Sequence, residues 1–263
     1  MKFSHQFANE IRPLRQRSSM IPSRTAPPAP QRSIGYNPAF MDPARISDLL
    51  APFLRAPLSE IQLRRLSTYL DLLLRWNQRT NLTALRDAES IVTRHFGESL
   101  FAADQLFPHA ASPQPLPGAE NASPAFPRVV DVGSGAGFPG IPIHIWSSPI
   151  KSTLVESNNK KVAFLREVCR ALTLTSIDVF AGRAEHFPSR ADVVTLRAVD
   201  RFDTVLRVAA ALVAPAGRLA LLTTSAQTKS VYALTDFAWT DPTPVPASTS
   251  RIILIGERAA EPN

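Results

Sequence analysis

Cysteine is nearly absent from this sequence: Cys169 is the only one in 263 residues. A lone thiol excludes an internal disulfide framework and any multi-cysteine zinc site, and it fits a reducing compartment. Long apolar runs are missing too, so a membrane-spanning helix is not expected. No lysine follows the glycines of residues 133–140 at the spacing GxxxxGK[ST], which excludes a Walker A loop as a phosphate cradle. Acidic residues are scarce in the first forty positions, where Lys2, Arg12, Arg15, Arg17, Arg24 and Arg32 face only Glu10. That segment holds +5 of the formal +7, so the other 223 residues carry +2, and net charge alone says little about a nucleic-acid partner. These absences predict a cytoplasmic enzyme or binding protein with no metal, no membrane and no disulfide partner.

Residues 1–40 are rich in Ser, Pro, Gln and Arg, with no periodicity and no secretory apolar core. They are expected to be a disordered, dispensable extension, with Met41 opening the folded part. Residues 41–107 read as a small helical unit. Ser59 and Gln62 form a capping-box pair, and Leu63, Leu66, Leu70, Leu73 and Trp76 follow at helical spacing. Asp87 caps a second helix carrying Ile91, His95, Leu100 and Leu106. Residues 108–127 form a Pro-rich linker or insertion, whose sequon Asn121-Ala-Ser123 means nothing in a cytoplasmic protein. From residue 128 to 263, strand patterns (RVVDVG, STLVES, SIDVFAG, ADVVTLRA, GRLALLTT) alternate with helical ones, and FAWT and RIILIGER add two late strands. The fold class expected is α/β: a seven-stranded, mostly parallel sheet with an antiparallel edge, covered on both faces.

The first strand runs into VGSGAGFPGIPI, and what this loop holds depends on its register. Gly135, Gly137 and Gly140 spell the dinucleotide fingerprint GxGxxG, yet the strand ends at Gly133, two residues earlier. Counted from Gly133 the pattern is GxGxG, with Phe138 where a third fingerprint glycine would lie. A methyl-donor site such as one for S-adenosylmethionine fits better. It needs close backbone approach, which glycine permits, and a carboxylate at the end of the next strand for the ribose hydroxyls. Glu156 occupies that place, and Asp131 is positioned for the ligand's ammonium end. A nicotinamide dinucleotide site also wants such an acid, so that reading stays open as the weaker one.

The run Asp131 to Pro142 (DVGSGAGFPGIP) resembles the signature loop of the RsmG family, also called GidB. WNQRTNLTAL (76–85), TRHFGESL (93–100), ESNNKKVAFLREV (156–168), AGRAEHF (181–187) and VVTLRAV (193–199) resemble further blocks of that family, in its order. The resemblance implies a Rossmann-like class I methyltransferase fold that uses S-adenosylmethionine to methylate N7 of a guanine in the 530 loop of 16S rRNA. It implies 16S rRNA or the 30S subunit as partner. Carried over by position, donor contacts fall on Gly133, Phe138, Ala184, Glu185 and Arg197, with Glu156 on the ribose, Glu185 near the adenine amino group and Arg197 between donor and RNA as a catalytic positioning group. Ser134, Gly135 and Gly137 of the loop are further donor-binding candidates. Two departures stand out: Gly97-Glu98 replaces an apolar residue and aspartate, and Leu222-Thr223-Thr224 replaces Leu-Lys-Gly.

Methyl transfer to guanine N7 needs no general base, because the attacking lone pair is unprotonated at neutral pH; positioning can supply most of the catalysis. Cys169 lies mid-helix and is expected to be structural. Arg94 and His95 on the second helix are candidates to contact RNA or line the pocket, and Lys160 and Lys161 at the start of another are candidates to contact RNA phosphate. The alternatives are a methyltransferase of the same fold acting on a small molecule or protein, and a non-catalytic protein that binds the donor.

Overall fold

The computed structural model describes residues 41–108, 126–147, 149–197 and 201–260. The extension at 1–40, nearly all of the linker at 108–127 and the sequon within it lie outside the described residues. Helices α1 (Pro43–Leu50), α2 (Glu60–Asn77), α3 (Ala88–Ile91) and α4 (Glu98–Leu106) come first. The capping box expected at Ser59 is present: its side chain accepts from Gln62 N while Gln62 Oε1 accepts from Ser59 N. Asp87 caps α3 by accepting from Ser90 N at 2.7 Å. Between α3 and α4 the chain makes a π-helical turn, Val92–Gly97, which the apolar periodicity did not announce.

The sheet follows as β1 (Arg128–Val132), β2 (Lys151–Glu156), β3 (Ile177–Ala181), β4 (Ala191–Arg197) and β5 (Val213–Thr224). Helices α5 (Gly140–Trp146), α6 (Asn159–Ala171) and α7 (Phe202–Ala211) alternate with these strands. Then come α8 (Thr228–Tyr232), β6 (Phe237–Trp239), β7 (Thr243–Pro244) and β8 (Arg251–Arg258). Strand order is β3-β2-β1-β4-β5-β8-β6, with the two-residue β7 beside β8. The first five strands are parallel, and β8 runs antiparallel between β5 and β6. The expected sheet is therefore present, with one small strand more. The helix before β5 ends at Ala211 instead of reaching Pro215, and β5 starts four residues before Gly217, through an irregular register.

Strand residues alternate between two layers, as a period of two requires. Val129, Leu154, Val193 and Ala220 face a core that also takes in Ile46, Leu70, Phe96, Leu100, Ile141 and Phe164. Val130, Val132, Val194, Leu196 and Leu221 face the other core, under α7 and α8. The N-terminal helices thus share a core with β1 and α6. Among the described residues, no helix is long and apolar enough to cross a membrane.

Candidate functional site

Strand order reverses at β1, whose neighbours are β2 on one side and β4 on the other. In an open α/β sheet, ligands bind beyond the carboxyl ends of the strands at such a switch point. A cleft lies there, lined by Val132 and Gly133 after β1, Glu156 and Ser157 after β2, Gly182 to Glu185 after β3, and Val205 and Val208 of α7.

The glycine loop shapes one wall of this region. Gly133, Gly135 and Gly137 have φ of 67°, 59° and 93°, in the left-handed region, whereas Gly140 does not. The alternating glycines beginning at Gly133 therefore set the turn, in the register that distinguished the methyl-donor pattern from GxGxxG. Gly137 has a second constraint: a Cβ there would lie 2.5 Å from Tyr69 Oη. Tyr69 donates its hydroxyl to Ala136 O and stacks on Phe138, with centroids 5.3 Å apart, so α2 holds the loop from below.

Two carboxylates brace the loop in different ways. Glu156 is buried; its Oε2 accepts from Gly135 N at 2.9 Å and its Oε1 from Asn158 N at 2.7 Å. It joins the loop to the start of α6 while keeping its place in the cleft wall. Asp131 pairs in register with Thr195 on β4, and their side chains share a face. Its Oδ1 accepts from Thr195 Oγ1 at 2.7 Å and its Oδ2 from Gly140 N at 3.1 Å. Burial pushes its carboxyl up to about 6, against hydrogen bonds that favour the charged form. Asp131 thus braces the loop from within, and the residues lining the cleft do not include it.

Ser134 is likewise internal, donating to Asp131 O at 2.9 Å. Phe138 is buried among Tyr69, His95 and Phe96. Of the predicted donor residues, Gly133, Glu156, Ala184 and Glu185 meet in the cleft; Ser134, Phe138 and Asp131 stand behind the loop. The α7 wall, Val205 and Val208, was missed, and only the amphipathic pattern of FDTVLRVAAALVAP could have pointed to it.

Arg197 ends β4 as predicted, but its guanidinium is buried and faces the helices, not an open space. One terminal nitrogen donates to Arg94 O at 2.6 Å and to Glu98 Oε2 at 2.8 Å, and lies 3.1 Å from His95 Nδ1. Burial lowers its pKa while Glu98 opposes the shift. Both departures in RHFGES find a local reason. Glu98 supplies the carboxylate that pairs with Arg197, and Gly97 leaves room for the Phe53 ring, which a Cβ would meet at 2.7 Å.

His95 takes part in the same network. Its Nδ1 lies 3.1 Å from the Arg197 terminal nitrogen, and its Nε2 shares a hydrogen bond with Thr83 Oγ1 at 2.7 Å. Burial, and then the positive charges of Arg197, Arg94 and Arg251, push its pKa down to about 3. It is a neutral ring with both nitrogens engaged, stacked on Phe138 at 4.8 Å beside the glycine loop. Arg94 and Lys160 are exposed and Lys161 is half-buried; the last two begin α6, whose N-cap Asn158 accepts from both backbone N–H groups. Burial pushes the Cys169 thiol up to about 11, as suits a structural residue. Among the described residues no cluster of His, Cys, Asp or Glu could hold a metal.

A Rossmann-like sheet with a reversed strand between β5 and β6, and an acid-lined cleft beyond a glycine turn, is the arrangement of the class I methyltransferase fold. The family described as rRNA small subunit methyltransferase G (GidB) matches residues 62–241, and the chain belongs to it. Three relatives named "Ribosomal RNA small subunit methyltransferase G" illustrate this. The one from Xanthomonas oryzae pv. oryzae (strain MAFF 311018) is 40% identical over 153 residues, 57% of this chain and 64% of that protein. The one from Nitrosomonas europaea is 40% identical over 136 residues, 51% and 55% of the two chains. The one from Chloroflexus aggregans is 37% identical over 175 residues, 62% and 67%. The chain thus spans less than two thirds of the first two relatives.

Proposed function

We propose that this protein transfers the methyl group of S-adenosylmethionine to N7 of a guanine in the 530 loop of 16S rRNA. The observation that carries this reading is the cleft at the β1 switch point, with its left-handed glycine turn and two carboxylates, in a chain of this family. Glu156 would accept from the ribose hydroxyls and Glu185 from the adenine amino group. Val205 and Val208 would offer apolar surface to the adenine, and the open face of Gly133 would let the ligand approach the backbone.

The chemistry agrees with the ionisable groups present. The N7 lone pair attacks the methyl carbon as the carbon–sulfur bond breaks, leaving a neutral thioether and a cationic 7-methylguanine. No proton is removed, so no base is required. His95 has both ring nitrogens engaged, and the Cys169 thiol is held protonated, so neither supplies a base or a nucleophile. What remains is positioning of two reactants in line, which alone lowers a barrier substantially. Arg197 positions: through Glu98 and the Arg94 carbonyl it ties β4 to the helices beside the loop. A ribosomal substrate, free or within the 30S subunit, places the protein in the cytoplasm.

The purified chain is given donor labelled in its methyl group together with unmodified 16S rRNA or 30S particles, and the RNA is digested to nucleosides. Label should appear in 7-methylguanosine. Label confined to another nucleoside, to protein or to a small molecule would overturn the reading.

A further inference from the structure

The charge of the folded part is unevenly placed. Residues 75–86 and 159–171 hold seven Lys and Arg against a single acid, Glu167. The rest of residues 41–263 holds sixteen against twenty. A segment that is nearly neutral as a whole therefore concentrates its positive charge in two stretches. The structure brings these stretches together: a groove between the end of α2 and α6 is lined by Arg75, Trp76, Gln78, Arg79, Thr80 and Glu167. Glu167, the one acid, is occupied, because Trp76 Nε1 donates to its Oε2 at 3.1 Å. Arg79 and Arg166 are exposed. Asp71 sits close to Arg75 from within α2 and offsets part of that charge.

Hydrogen bonds brace the α2 side of the groove, and both of its walls lead towards the cleft. Asn77, buried at the end of α2, donates to Leu85 O and accepts from Thr83 N, while Arg86 donates to Asn77 O and Asn81 Oδ1. These bonds hold residues 77–86 in one shape. Thr83 then bonds to His95, which stacks on Phe138 behind the donor loop. The other wall, α6, begins three residues after Glu156 and runs for about 20 Å at 1.5 Å per residue. Arg86, like Arg79, presents its charge without an acidic partner among its hydrogen bonds.

We infer that the α2–α6 groove is the track that grips the RNA substrate, taking the phosphodiester backbone of a single strand whose target base enters the donor cleft. The inference rests on the RNA reading above and adds the surface that holds the RNA: Arg79 and Arg166 contact phosphates, with Lys160 and Lys161 at the cleft end. A row of exposed cations suits a polyanion, because each phosphate neutralised releases counterions.

The test measures binding of the full chain to 16S rRNA over a salt series, with donor binding followed by calorimetry. The double variant Arg79→Glu/Arg166→Glu should bind RNA at least tenfold more weakly, and its slope of log affinity against log salt should be shallower by about 1.4, the value for two lost single-strand phosphate contacts. Its donor affinity should match wild type, and Lys229→Glu on α8, also exposed, should leave RNA affinity near wild type. Wild-type RNA affinity and slope in the double variant would overturn the inference. So would a loss confined to assembled 30S particles with free rRNA binding intact, since the groove would then grip a ribosomal protein. If the double reversal also loses donor binding, Arg79→Gln/Arg166→Gln decides, and unchanged RNA affinity in it overturns the proposal. A chain that methylates no RNA, yet whose RNA affinity falls as predicted in the variant, would refute the methylation reading and leave the groove standing.

Discussion

At the residue scale, Glu185 offers the cleanest probe of the cleft, because its side chain is exposed at the rim. Glu185→Ala should raise the KM for the donor about tenfold with little change in kcat, as loss of a hydrogen bond to a charged group would do. Unchanged steady-state kinetics would remove Glu185 from the site. His95 and Asp131 make an opposed pair in pH. The His95 pKa is depressed to about 3, so the stability it contributes is present above its unfolded value near 6.5 and is lost as pH falls. The Asp131 pKa is raised to about 6, so its contribution is present below the unfolded value near 3.9 and is lost as pH rises through 6. Between roughly pH 6 and 4 the two nearly cancel. His95→Gln should uncover the Asp131 effect, with stability relative to wild type rising as pH falls through that window by up to about 1.4 kcal/mol per unit. Urea melts at a series of pH values would show it, and parallel profiles for the two proteins would contradict it. The residue types at these positions were legible in the sequence, but the direction each side chain faces was not. Arg197 ends its strand where the pattern put it, and only the packed Glu98 and the Arg94 carbonyl turn it inward.

At the element scale, the glycine turn and the π-helical turn are the two irregular pieces. Gly137→Ala must adopt a left-handed φ and displace the Tyr69 hydroxyl, and should cost about 2–4 kcal/mol in chemical denaturation. A loss under half a kcal/mol would mean the turn relaxes freely. Glu98→Ala leaves the Arg197 charge buried without its partner and should cost about 3–5 kcal/mol. A near-neutral effect would show that the pair is not held in solution. Strands and capped helices were legible because their signals are local: a period of two, a Ser59 to Gln62 box, a buried run ending in glycine. The π-turn was not, since it departs from the 3.6-residue period over a single short stretch. The early start of β5 escaped because Pro215 and Gly217 read as a boundary, whereas Val213 already pairs with Ala191 of β4 and the pairing resumes at Arg218 after an irregular stretch.

At the scale of the whole molecule, the helices before the linker and the sheet after it fold around one core, and the donor loop is held from the helical side by Tyr69, His95 and Phe96. Their shared core comes from long-range packing, which no local pattern records. The arrangement ties the segment that carries the basic groove to the loop that shapes the cleft, so on the proposed reading substrate and donor would meet on one compact unit. The central claim is that this unit methylates guanine N7 in the 530 loop. The direct measurement is to map 7-methylguanosine in 16S rRNA from cells with and without the gene. The modification should be present in the first and absent from the second; its persistence without the gene would contradict the account.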